Sequence, residues 1–108
     1  SGFNVYPAQV EAVLYRHPLV AEACVVGVPD PVQVERVKAY VVLRDPSRAT
    51  PETEEALIEH CRGQLIKWSC PREFEFRTEL PKTRIGKLDY RALVEDHAAR
   101  QAAAGVFQ

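Results

Sequence analysis

Two valine-rich runs constrain this chain more than any other feature. "LVAEACVVGV" at 19–28 and "VKAYVVL" at 37–43 are short, β-branched and almost wholly apolar. Such runs read as strands. The connection "PDPVQVER" opens with turn chemistry, so the pair reads as an antiparallel hairpin with a long loop. "EFEFR" at 73–77 alternates strictly and predicts a third strand, and "FNVY" at 3–6 a short leading one.

Helical signals fill the gaps. Pro7 suits a first turn, Val10, Val13 and Leu14 share one face, and His17-Pro18 ends the pattern, giving a helix over 7–16. Thr50-Pro51 starts a second, with Glu52, Glu54 and Glu55 in its first turns, Leu57, Ile58, Cys61 and Leu65 as its inward stripe, and Arg62 and Lys67 near its end. A third runs from about 89, with Leu93, Val94 and Ala98 inward and an alanine-rich tail that frays. The fold class is therefore α+β: a small sheet of about three main strands with helices packed on it, in a single domain of 108 residues.

Charge limits the partners. Fourteen basic residues against fifteen acidic ones leave a net charge of −1, with no global pull toward nucleic acid or an anionic membrane. No run of 18 apolar residues predicts a membrane span. Cys24, Cys61 and Cys70 lack CxxC spacing, which argues against a disulfide framework or a zinc site and fits a reducing cytoplasm. His17, His60 and His97 lack ligand spacing; His17 reads as a proton donor to carbonyls at its helix end. Trp68 reads as packing a helix–strand corner, and Cys70 as inert.

Any anion site must then be local, and one stretch gathers the cations for it. "PKTRIGKLDYRAL" at 81–93 sets Lys82, Arg84, Lys87 and Arg91 around Gly86, just before the last helix. A phosphate-cradling GxxxxGK[ST] is excluded, because position 81 is Pro and position 88 is Leu. What remains is a flexible loop, Thr83 to Gly86, stiffened at Pro81 and anchored by Asp89, with a lysine at its tip. It reads either as a solvated basic loop or as a device that presents Lys87 to an anion in another domain.

Four blocks occur together in order: "SGFNVYPAQVE" at 1–11, "HPLVAEACVVGVPD" at 17–30, "VKAYVVL" at 37–43 and "ELPKTRIGKLDYRAL" at 79–93. In this the chain resembles the C-terminal domain of the adenylate-forming (AMP-binding) enzymes of the acyl-CoA synthetase type, from residue 1 to about 95. The resemblance implies that residues 1–108 are the mobile C-terminal domain of a larger two-domain ligase whose N-terminal adenylation domain is its partner. It implies ATP, Mg2+ and coenzyme A as cofactors, held mainly by that other domain, and a small-molecule carboxylic acid as substrate. The isolated fragment is expected to be inactive. Lys87 is the implied catalytic residue, reaching the carboxylate and the ATP phosphate oxygens during adenylation. A lysine about 3 Å from an oxyanion gains on the order of 5 kcal/mol at an effective dielectric near 20.

Gly86, beside that lysine, and Gly2 and Phe3, lining the channel for the pantetheine arm, are the implied cofactor-binding residues, with Phe3 read equally as a core aromatic. Arg72, Arg84, Arg91 and Trp68 are further candidates for coenzyme A contacts, against solvated or packed surface. One departure stands out: Val34 precedes Glu35 where the family usually has Gly-Glu, which is expected either to restrict that loop or to change its contact with the large domain. A carrier-protein thiol as acceptor, or a non-catalytic α+β binding module, are the competing readings. An RNA-binding sheet needs exposed strand aromatics, and Tyr40 with Phe74 and Phe76 match that pattern poorly.

Overall fold

The computed structural model describes residues 6–32 and 34–105. Helix α1 is Pro7–Tyr15, strands β1 and β2 are Val20–Pro29 and Glu35–Leu43, helix α2 is Pro51–Arg62, strand β3 is Glu73–Arg77 and helix α3 is Tyr90–Gly105. The sheet has the order β1-β2-β3. β1 runs antiparallel to β2, and β3 runs parallel to it.

Both valine runs are nearly continuous because both of their faces are covered. One face carries Ala23 and Val25 of β1 with Val37, Ala39 and Val41 of β2, under Val10, Val13 and Leu14 of α1 and Leu57 and Cys61 of α2. The other carries Cys24, Val26, Val28 and Tyr40, under Leu80 and Leu93. Helices α1 and α2 thus sit on one side, and α3 with the segment leading into it sits on the other. Thr50 caps α2, its hydroxyl accepting from the Thr53 N–H. Between α1 and α2, His60 Nε2 lies 2.6 Å from the Val13 carbonyl, and the Arg16 guanidinium donates to Gln64 at 2.8 Å.

Several sequence expectations need correction. The hairpin loop is shorter than read, because β1 extends to Pro29 and β2 already starts at Glu35. Helix α2 stops at Arg62; Leu65 lies beyond it, and Lys67 opens a separate 3₁₀ turn, Lys67–Ser69. Ala98 is exposed, and the inward residue of that turn of α3 is His97. Trp68 is 44% exposed, with Lys67 Nζ 5.4 Å from its ring. Tyr40 is buried beneath α3, where its hydroxyl donates to the Leu93 carbonyl at 3.2 Å, so no aromatic platform is open at that position. Of the expected leading strand, residues 3–5 fall outside the described residues, and Tyr6 precedes α1 as its N-cap. Val34 is exposed and its carbonyl accepts from the Asp30 N–H. No non-glycine residue described has a positive φ, so valine there imposes no backbone strain.

Candidate functional site

The cationic segment is a closed hairpin rather than a flexible loop. Lys82 and Leu88 pair as an antiparallel bridge. Inside it the Thr83 N–H donates to the Lys87 carbonyl at 2.7 Å, and the Gly86 N–H to the Thr83 carbonyl at 2.9 Å. The Lys87 N–H reaches the Thr83 hydroxyl at 3.3 Å, and the Asp89 N–H closes back on the Pro81 carbonyl at 2.9 Å. Gly86 has φ +84°, and a side-chain carbon there would meet nothing within 4 Å. The turn therefore needs glycine for its backbone angle and not for room. Asp89 Oδ1 then accepts from the Ala92 N–H at 3.0 Å and caps α3.

Contacts on either side hold the hairpin against the rest of the domain. Leu80 is buried against Leu93 and the outer face of the sheet. Lys82 Nζ pairs with Glu22 of β1 at 2.9 Å. Tyr90, the first residue of α3, donates its hydroxyl to both carboxylate oxygens of Glu11, at 2.9 and 2.8 Å. Between these anchors, Lys87 and Arg84 are exposed and form no ion pair among the described residues. They flank a shallow surface hollow completed by Thr83, Ile85, Leu88 and Tyr90, with Ile85 77% exposed. A cation with no counter-charge beside an apolar rim can meet an anion carried on a partly apolar molecule.

This hairpin sits at the end of a span of known type: residues 9–87 match the family model described as the AMP-binding enzyme C-terminal domain, and the match ends on Lys87 itself. The chain belongs to that family. It is 47% identical over 96 residues to a long-chain-fatty-acid–CoA ligase of Escherichia coli O6:H1, covering 89% of this chain and 16% of the ligase. It is 42% identical over 93 residues to an acetyl-coenzyme A synthetase of Bacillus subtilis, covering 86% of this chain and 16% of that protein. The crystal structure of a Brucella canis acyl-CoA synthetase superposes with a TM-score of 0.87 at 44% identity, over 94% of this chain and 19% of that one. The chain thus spans a small part of the length of the proteins it matches.

Within this domain, Gly86 and Lys87 lie together at the hairpin, while Gly2 and Phe3 lie outside the described residues. Arg91 is exposed and pairs loosely with Glu95 at 3.4 Å. Arg72 is exposed at the entry to β3, its backbone N–H bonded to the Val37 carbonyl. His17 and His60 do meet, with ring centroids 5.0 Å apart. Contrary to expectation, His17 acts as an acceptor: its Nδ1 receives the Leu19 N–H at 3.1 Å. Among the described residues no group of three or more His, Cys, Asp or Glu is placed to hold a metal ion. Burial pushes the Cys24 thiol up to about 12, helped by Glu11, and the Cys61 thiol up to about 11, helped by Cys70. Thiols held that high are poor nucleophiles at neutral pH.

Two features of the domain escaped the sequence reading. The first is the carboxylate of Glu11, which joins α1, β1 and α3. The second is a charged cluster at the sheet face under α3. Lys38, 2% exposed, lies 3.2 Å from Glu73, 3.0 Å from Glu75 and 3.0 Å from His97 Nδ1. Arg77 pairs with Glu75 and Asp96 at 2.7 and 2.6 Å, and Arg36 with Glu73 at 2.7 Å. Burial works to lower the pKa of Lys38, but bonds to Tyr40, Glu75 and Glu73 outweigh it and leave it raised. His97 is held below its usual range by burial and by Lys38, so the neutral ring accepts from the ammonium. The signal was present in "EFEFR": Glu73, Glu75 and Arg77 share a face, and the register sets Glu73 opposite Lys38.

Proposed function

We propose that this domain is the mobile C-terminal domain of an AMP-forming acid–thiol ligase, in which Lys87 serves carboxylate adenylation. In the first step a carboxylate attacks the α-phosphate of ATP and expels pyrophosphate, and in the second a thiol displaces AMP from the acyl group. Lys87 acts in the first. Its ammonium meets the charge that gathers on the carboxylate and phosphate oxygens. Gly86 gives the hairpin the backbone turn that carries that lysine. Magnesium would be held mainly by the rest of the ligase together with the ATP phosphates.

Coenzyme A is the acceptor we favour, on the strength of the ligases that this chain resembles. Those relatives act, by their names, on acids as unlike as long-chain fatty acids and acetate. The acyl chain is therefore read mainly outside this domain, and the rest of the ligase is the proposed partner. Gly2 and Phe3 would line the pantetheine side, an assignment that rests on the resemblance alone.

The observation that carries this reading is Lys87 itself: exposed at a self-closed hairpin and unpaired among the described residues, while Lys82 beside it is bound to Glu22. The test is Lys87→Ala in the full-length ligase. ATP–pyrophosphate exchange should fall by about 10²–10³, the usual cost of one preorganised charge contact. Thioester formation from pre-made acyl-adenylate should survive. If both steps run at the parent rate, Lys87 is a solvated surface cation and the reading fails.

A further inference from the structure

We propose that Glu11 and Tyr90 form a positioning latch for Lys87. This inference rests on the function proposed above. Glu11 is a carboxylate only 9% exposed, and no ion pair to it is found among the described residues. Its bonds are instead to two neutral donors. Oε2 accepts from the Val25 N–H at 2.8 Å, on β1, which is an edge strand of the sheet. Both oxygens accept from the Tyr90 hydroxyl. Burial and the adjoining carboxylate raise the Tyr90 pKa, so the phenol stays protonated and remains the donor.

The consequence lies in where Tyr90 sits. It is three residues past Lys87 and starts α3, and the hairpin is tied to it through the Asp89 N–H bond to Pro81. The hairpin's own bonds fix its shape but not its place on the domain. Leu80 and Leu88 seat it on the sheet by apolar packing, which gives no fixed direction, and two polar tethers orient it. The Lys82–Glu22 pair is more than a third exposed at each end, and such pairs hold weakly. In the Glu11–Tyr90 contact the Tyr90 end is 39% exposed, but the Glu11 end is buried and pinned to the sheet backbone. A lysine that must reach a reacting oxygen in another domain depends on such placement, because a shift of about 1 Å can cost 10²-fold in rate. Glu11 and Tyr90 touch no reacting atom in this scheme and act through Lys87.

The test uses Tyr90→Phe in the full-length ligase, alone and combined with Lys87→Ala. Phenylalanine keeps the ring and removes only the donor. Exchange should fall roughly 10-fold with the melting temperature little changed, while thioester formation from pre-made adenylate stays at the parent rate. In the Lys87→Ala background, Tyr90→Phe should cost nothing more, because coupled residues are not additive. Glu11→Gln, which keeps one carbonyl acceptor, should fall between parent and Tyr90→Phe. An equal Tyr90→Phe loss with and without Lys87, or a loss in both half-reactions, would make Tyr90 merely structural and overturn the proposal. So would a parent exchange rate in Tyr90→Phe while Lys87→Ala is crippled, an outcome that leaves the role of Lys87 standing. A Lys87→Ala enzyme with parent activity removes both.

Discussion

Replacing Lys38 with methionine keeps the aliphatic stem and deletes the charge, which makes it a sharp probe of the cluster under α3. The cluster is balanced as built: Arg36, Lys38, Arg77 and Arg100 face Asp30, Glu73, Glu75 and Asp96, four against four. Losing one partner of a fully buried pair costs about 3–5 kcal/mol, whereas an exposed pair is worth about 0–1 kcal/mol. Lys38 is 2% exposed but Glu73 and Glu75 are 32% and 21%, so the cost lies between, about 2–4 kcal/mol. His97 adds to it, because its Nδ1 loses the ammonium and is left buried. Urea unfolding of the chain, followed by circular dichroism, should show the midpoint fall by ~2 M at an ordinary slope. Adding Glu75→Gln rebalances the charges at three against three and should recover roughly 1 kcal/mol. A Lys38→Met loss below about 1 kcal/mol, or a double variant weaker than the single, would refute the claim that charge balance matters here.

The same groups set a pH profile. His17 and His97 are held below their usual range, both by burial first, then by His60 and by Lys38 respectively. The unfolded chain protonates them below about pH 6.5 while the fold resists, so stability should drop between about pH 7 and 5. For Glu73 and Glu75 burial alone would raise the pKa, but bonds from Arg36, Lys38 and Arg77 hold both below the usual range. Their contribution is full above about pH 4.3 and is lost as pH falls through the lower folded values. Lys38, raised, contributes fully below about pH 10.4, and that contribution is lost as pH rises through its higher folded value. A urea midpoint that stays flat from pH 7 to 5 would contradict the histidine assignment. At the hairpin, Gly86→Ala meets no neighbour but must adopt φ near +84°, and should cost about 1–2 kcal/mol. Gly86→Asn should cost less, since asparagine tolerates that region; equal midpoints for glycine and alanine would show that the turn has another shape.

The strands were legible because their composition leaves no alternative, and the three described helices because proline and cap residues mark their starts. What the sequence hid was whatever depends on partners distant in the chain. Glu11 and Tyr90 are 79 residues apart, and no period links them. Ala98 looked inward because alanines fill that helix and give no clear stripe; the position one turn after Leu93 is His97, drawn in by Lys38. Glycine next to lysine marked the hairpin tip, but its closure depends on Thr83 serving both strands of the turn at once. Lys38 is a lone charged residue in a valine-rich strand, and only its register opposite Glu73 gives it a counter-charge.

Strand β1 borders the sheet, and an unpaired border invites a foreign strand to add itself. Glu11 occupies the Val25 amide with a carboxylate turned inward, and Lys82 crosses to Glu22 nearby. An arriving strand would have to displace a buried negative charge to bond there. A backbone ladder at Val25 therefore carries the cost of uncovering that charge, which keeps this border from adding strands.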